Sequence, residues 1–190
     1  MKKRVLVSIL AVMASVASLM AQQVSIDASA STIKWTAKKV SGEHTGAINV
    51  KSGSLNLKKG NITGGEFLVD MTSITNADLP AGEWHDKLIG HLNSDDFFGT
   101  AKFPESKLVI TSASAFDKTG QSVVKGLLTI KGITNLIEFT ATAEGKAYKA
   151  TLTVDRTKYG IKYGSGQFFE GLGDKMIMDQ FTLDVVLATK

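Results

Sequence analysis

Alternation of period two runs through most of the chain after residue 22. Val124, Gly126, Leu128 and Ile130 alternate with Lys125, Leu127, Thr129 and Lys131, giving one mainly apolar and one mainly polar face. Tyr148, Ala150, Leu152 and Val154 do the same against Lys149, Thr151, Thr153 and Asp155, and Ile137, Phe139 and Ala141 against Glu138, Thr140 and Thr142. Near the end, Ile177, Phe181, Leu183, Val185 and Leu187 alternate with Met178, Gln180, Thr182, Asp184 and Val186. The segments Ile33–Lys39, Ala47–Leu57, Glu66–Met71 and Phe103–Thr111 are less regular, although Phe67, Val69 and Met71 share one side. Gly64-Gly65, Lys118-Thr119-Gly120 and Glu144-Gly145-Lys146 read as hairpin-like breaks. About eight short, closely spaced strands predict an antiparallel sandwich or barrel. The lack of long alternating helices argues against a doubly wound α/β fold.

One segment breaks this pattern. In Glu83–Phe98, Trp84, Leu88 and Leu92 fall at i, i+4 and i+8 with Ile89 beside them. This predicts one short amphipathic helix inside an all-β chain. It reads first as a helix plugging or flanking the sheet, and second as a lid over a cavity.

The N-terminus changes the charge argument. Lys2, Lys3 and Arg4 precede an apolar run from Val5 to Met20, and Ala21 is followed abruptly by Gln22-Gln23. That order predicts a secretory signal peptide over 1–21, cleaved after Ala21, and a single domain over 22–190. The run is shorter than the roughly 20 residues of a spanning helix, and no positive cluster follows it. The expected location is therefore periplasmic or secreted. The whole chain carries a formal charge of +4. Without 1–21, 19 basic residues face 18 acidic ones, a net +1. No global electrostatic case for nucleic acid survives.

Catalytic signatures are sparse. The chain has no Cys, which excludes a disulfide framework, a thiolate nucleophile and Cys-ligated metal. No phosphate loop or dinucleotide fingerprint is present, and Gly164-Ser165-Gly166 lacks the spacing of a nucleophile elbow. His85 and His91 lie six apart, off a common helix face, and Asp95-Asp96 sits where the helix should end. Capping and surface roles explain them better than a metal site. No cofactor is expected. Arg156 continues the inward parity of Tyr148–Val154. A guanidinium at the end of an apolar face needs an acid, with Asp155, Asp174 and Asp179 as candidates, or else a ligand head group.

Several spaced blocks resemble one family. They are Trp35-Thr36-Ala37-Lys38-Lys39, Gly42-Glu43-His44-Thr45-Gly46, Ser73-Ile74-Thr75, and the most specific, His91-Leu92-Asn93-Ser94-Asp95-Asp96-Phe97-Phe98, with Lys102-Phe103-Pro104 after it. Gly126–Thr134, Asp155–Ile161 and Ile177-Met178-Asp179 follow in order. Together they resemble the YceI-like lipid/polyisoprenoid-binding family over nearly all of 22–190. The resemblance implies an eight-stranded antiparallel, lipocalin-like barrel with a short helical insertion, exported, with a long apolar chain held inside by some members.

The expectation is thus a non-enzymatic carrier or sequestering protein for a long-chain isoprenoid or other amphiphilic lipid. It leaves room for transient contact with a membrane surface or membrane protein. By strand parity, Val69, Leu128, Ile130, Phe139, Leu152, Phe181 and Leu183 should line the interior. Trp84, Leu88, Phe97 and Phe98 should form or border the entrance, and Arg156 and His91 are the head-group candidates. The rivals are a filled structural barrel without ligand and an enzyme acting on an apolar substrate.

Overall fold

The computed structural model describes residues 22–190, so the signal peptide expected over 1–21 lies outside the described residues. Eight antiparallel strands close into one barrel in chain order. They are β1 (Gln22–Lys39), β2 (Gly42–Lys58), β3 (Asn61–Asp70), β4 (Glu105–Ala113), β5 (Gln121–Ile130), β6 (Ile133–Glu144), β7 (Ala147–Asp155) and β8 (Ile177–Thr189). Helix α1 (Glu83–Asn93) lies in the long β3–β4 connection. The sandwich alternative is excluded because β8 pairs with β1 from Ile26–Thr189 to Lys39–Ile177.

Two departures from the sequence reading have local causes. β1 starts at Gln22, eleven residues before the predicted Ile33. Its pairing with β2 shifts register between Ser25 and Ile33, where the Asp27 carboxylate accepts from the N–H groups of Ser29 and Ala30. This turn-like bulge disguises the strand as a loop. Gly64-Gly65 is not a break but lies inside β3. The turn is at Lys59-Gly60, with φ of 52° and 78°, the left-handed pair that a two-residue hairpin needs. A Cβ on Gly65 would lie 2.8 Å from the Ser54 carbonyl oxygen, so the glycine permits close packing of β2 on β3.

An Asp-x-Thr turn recurs at the ends of β3 and β7 and in the β4–β5 loop. Asp70 accepts from the Thr72 N–H and hydroxyl at 2.9 and 2.6 Å, Asp155 from those of Thr157 at 2.9 and 2.6 Å, and Asp117 from those of Thr119 at 2.8 and 2.7 Å. The Thr72 hydroxyl and N–H hold the Asp70 carboxyl below its ordinary 3.8. The Gln121 N–H, then Thr119, do the same for Asp117. A depressed folded-state value adds stability above the unfolded pKa and loses it as pH falls through the folded one. The thermal unfolding temperature should therefore drop as pH is lowered through 3.8 and beyond. An Asp70→Asn/Asp117→Asn protein, scanned by calorimetry over the same range, should show a shallower decline; an identical slope would sink this account.

Above the end of β3, residues 75–77 run along β2. Thr75 and Ala77 N–H groups donate to Ala47 and Thr45 carbonyls at 2.9 and 2.8 Å. A Cβ on Gly46 would lie 1.8 Å from the Thr75 carbonyl oxygen, which also accepts from Trp35 Nε1 at 3.0 Å. Only glycine admits that approach.

The β6–β7 seam is the shortest. Pairing covers Glu144–Ala147 to Ala141–Ala150 and stops. By contrast β5 pairs with β6 from Gln121–Thr142 to Ile130–Ile133, and β7 with β8 along its whole length.

Candidate functional site

Inward side chains of all eight strands enclose an elongated apolar cavity of about 170 Å³. Its wall extends from Leu55, Ile62 and Leu187 near one end to Ile74, Leu92 and Phe97 near the other. Alternation explains the lining, because each strand contributes every second residue. Ser106, Lys149 and Arg156 are the non-aromatic polar residues among thirty-three in the wall; Lys149 is exposed, with outward parity on β7. Tyr148 contributes its ring, stacked on Phe116 at 6.2 Å, and burial pushes its phenol pKa up.

Val69, Leu128, Ile130, Phe139, Leu152, Phe181 and Leu183 all lie in this wall, as do Phe97 and Phe98. Phe98 meets Phe181 edge-on at 6.4 Å and Phe97 at 6.1 Å, so the turn after α1 closes one barrel end with rings. Residues not named by parity include Trp35, Phe67, Met71 and Ile74. Ile33-x-Trp35-x-Ala37 is itself a period-two signal, and Phe67 and Met71 share the Val69 side.

The helix residues sit differently. Trp84 is 73% exposed, outside the wall, with the Lys87 ammonium 4.9 Å from its ring centroid. Leu88 packs on the core without reaching the cavity. The reason is helical drift: at 3.6 residues per turn, a residue eight positions away is rotated by about 80°. The buried stripe is instead Leu88, Ile89 and Leu92, at i, i+1 and i+4. His91 is half-buried and outside the wall. Its ring packs edge-on against Tyr163 and Phe97 at 4.3 and 4.9 Å, an aromatic rather than a head-group setting.

Arg156 borders the cavity, is 3% exposed, and has every donor engaged. Nε donates to the Met178 carbonyl at 3.1 Å. Nη1 donates to the carbonyls of Ile161 and Tyr163 at 3.0 and 2.8 Å. Nη2 donates to the Ile177 carbonyl at 2.9 Å and to Asp179 Oδ1 at 3.4 Å. Since a guanidinium has five N–H donors, none is left for a head group. This corrects the head-group assignment: Arg156 ties the end of β7 to 161–163 and to the start of β8. Burial pushes its pKa down, while Asp179 and Asp155 oppose that shift.

Among the described residues, no group of three or more His, Cys, Asp or Glu could hold a metal ion. Asp95 pairs with Lys102 in the turn after α1. His44 pairs with Asp78 at 2.7 Å, and Asp78 also accepts from the Thr45 N–H.

The model of the YceI-like domain matches residues 25–189. The chain belongs to the YceI-like family. Sequence relatives are a UPF0312 protein of Pseudomonas putida, 36% identical over 83 residues, covering 38% of this chain and 42% of that one, and a UPF0312 protein of Staphylococcus aureus, 38% identical over 84 residues, covering 38% and 46%. The chain thus spans less than half the length of these relatives. Among solved structures, Burkholderia cenocepacia BcnA aligns with a TM-score of 0.68 at 16% identity over 87% of this chain and 99% of that one. A polyisoprenoid binding domain from Saccharophagus degradans, implicated in plant cell wall breakdown, gives 0.60 at 16% identity over 90% and 98%. These likenesses establish the YceI-like barrel fold.

Proposed function

We propose that this YceI-like protein is an exported, non-enzymatic carrier or sequestering protein that holds one apolar chain, a polyisoprenoid first among candidates, inside its barrel. The carrying observation is the cavity wall, apolar along the barrel and without a free head-group donor at Arg156. Each buried methylene contributes about 0.8 kcal/mol, so a five-carbon isoprene unit offers roughly 3–4 kcal/mol before ordering costs. Affinity then follows chain length rather than a polar code. The Saccharophagus degradans protein of the same fold is a polyisoprenoid binding domain, which supports this reading.

A filled barrel without ligand is the second reading, and the cavity volume favours it. About 170 Å³ is close to the size of a dry cavity that admits one benzene, about 150 Å³. A long chain must displace interior rings or project from the barrel.

Native mass spectrometry of protein from its producing cells separates the two. The carrier predicts an added mass, removed by organic solvent, that fragments in five-carbon steps. N-terminal sequencing of the same sample should begin at or near Gln22. Ligand-free protein from its native source, with no uptake of a C20 isoprenol in vitro, would overturn the carrier function.

A further inference from the structure

We infer that the unladdered half of the β6–β7 seam is a lateral gate through which an apolar chain enters and leaves the barrel; this builds on the apolar-cargo function and adds its route. Continuing the register of Ala141–Ala150 would set Phe139 opposite Leu152, Glu138 opposite Thr153 and Ile137 opposite Val154. None of these forms a pair, although β6 stays paired to β5 throughout Ile133–Thr142 and β7 to β8 along its whole length. The far end of the gap is pinned by Asn135 Nδ2, which donates to the Lys158 carbonyl at 3.0 Å. Between pin and ladder lie Leu136–Thr140, about 16 Å of strand at ~3.3 Å per residue.

Side chains alone shut this stretch. Val154 is 2% exposed and Leu152 is buried, while Ile137 and Phe139 pack against the core. Phe139 and Leu152 also face the cavity, so parting them opens directly onto it. Outside, Leu136 is 78% exposed and sits opposite Leu127, also exposed. An apolar sill therefore borders the gap. An ordinary seam must break interstrand hydrogen bonds to open, whereas here an incoming chain replaces one set of apolar contacts by another. The barrel ends are more firmly held. One is bound by the five donors of Arg156. At the other, Phe116 stacks on Tyr148 and donates its N–H to Asn61.

The chain has no cysteine of its own, so a bridge can be placed cleanly. Glu138→Cys/Thr153→Cys puts two exposed thiols across the gap, joined by oxidation or, where the span is too wide, by a bis-maleimide. Val123→Cys/Thr140→Cys, bridged across the laddered β5–β6 seam, is the control. The readout is exchange of a fluorescent C20 isoprenol. The bridged gap should slow uptake and release about tenfold or more with little change in equilibrium affinity, and the control should not. Unchanged exchange in the bridged protein, or equal slowing by the control, overturns the gate. Failure of the unmodified protein to bind the probe overturns the cargo function instead. The gate is then read without ligand, by amide hydrogen exchange. Amides of 136–140 that face β7 should exchange much faster than those in the β5–β6 ladder, and equal protection overturns the gate. A stable dimer abolished by the bridge would make the gap a strand-pairing edge and likewise overturn it.

Discussion

Arg156→Met should lower the unfolding free energy of the empty barrel by about 3–5 kcal/mol, the cost of removing one partner from a buried ionic and hydrogen-bonded set. The substitution keeps much of the apolar stem but strands the carbonyls of Ile161, Tyr163, Ile177 and Met178, together with Asp179. Unpaired buried acceptors retain their full desolvation penalty. Asp179 keeps its bond from Gln167 Nε2 at 2.6 Å, which limits but does not cancel the loss. Phe97 lies 5.8 Å from the guanidinium carbon, so the barrel end should loosen with it. Arg156→Lys should fall between wild type and Met, because an ammonium keeps the charge without the planar fork. Urea unfolding of the three ligand-free proteins measures this. The same variants should keep the wild-type affinity ratio for phosphorylated and neutral C20 chains. A selective loss of phosphorylated chains in a stable Arg156→Met protein would restore the head-group role.

What could be read from the chain depended on what each pattern physically reports. Alternation reports which way a side chain faces. It therefore located the inward residues of β5, β7 and β8, where Leu128, Leu152 and Leu183 all reach the cavity. It does not report whether a strand has a neighbour. Ile137 and Phe139 alternate with Glu138 and Thr140 as regularly as any pair, yet that edge lacks a ladder to β7. Gly64-Gly65 looked like a turn because glycine serves both turns and close sheet packing. Only the Lys59-Gly60 dihedrals distinguish the two uses. Arg156 was visible as an anomaly on an apolar face. Of its partners only Asp179 was among the acids the sequence offered; the other four are backbone carbonyls, which carry no side-chain signature in sequence.

Leu128→Trp should weaken binding of a C20 isoprenol by a hundredfold or so while leaving a folded barrel. Leu128 sits two residues before the end of β5, paired with Leu108 on one side and Asn135 on the other, with its side chain in the cavity wall. An indole there occupies space that an apolar chain would otherwise fill. Displacing about one isoprene unit removes roughly 3–4 kcal/mol of burial. Overpacking a filled core typically costs about 1–3 kcal/mol, and the neighbouring void should keep the stability loss toward the lower figure. Lys125→Trp places the same side chain on the exposed outer face of the same strand, where it should alter neither property. Fluorescence titration with the isoprenol and urea unfolding of both variants give the comparison. Equal affinity in a folded Leu128→Trp protein would place the apolar chain somewhere other than the barrel interior.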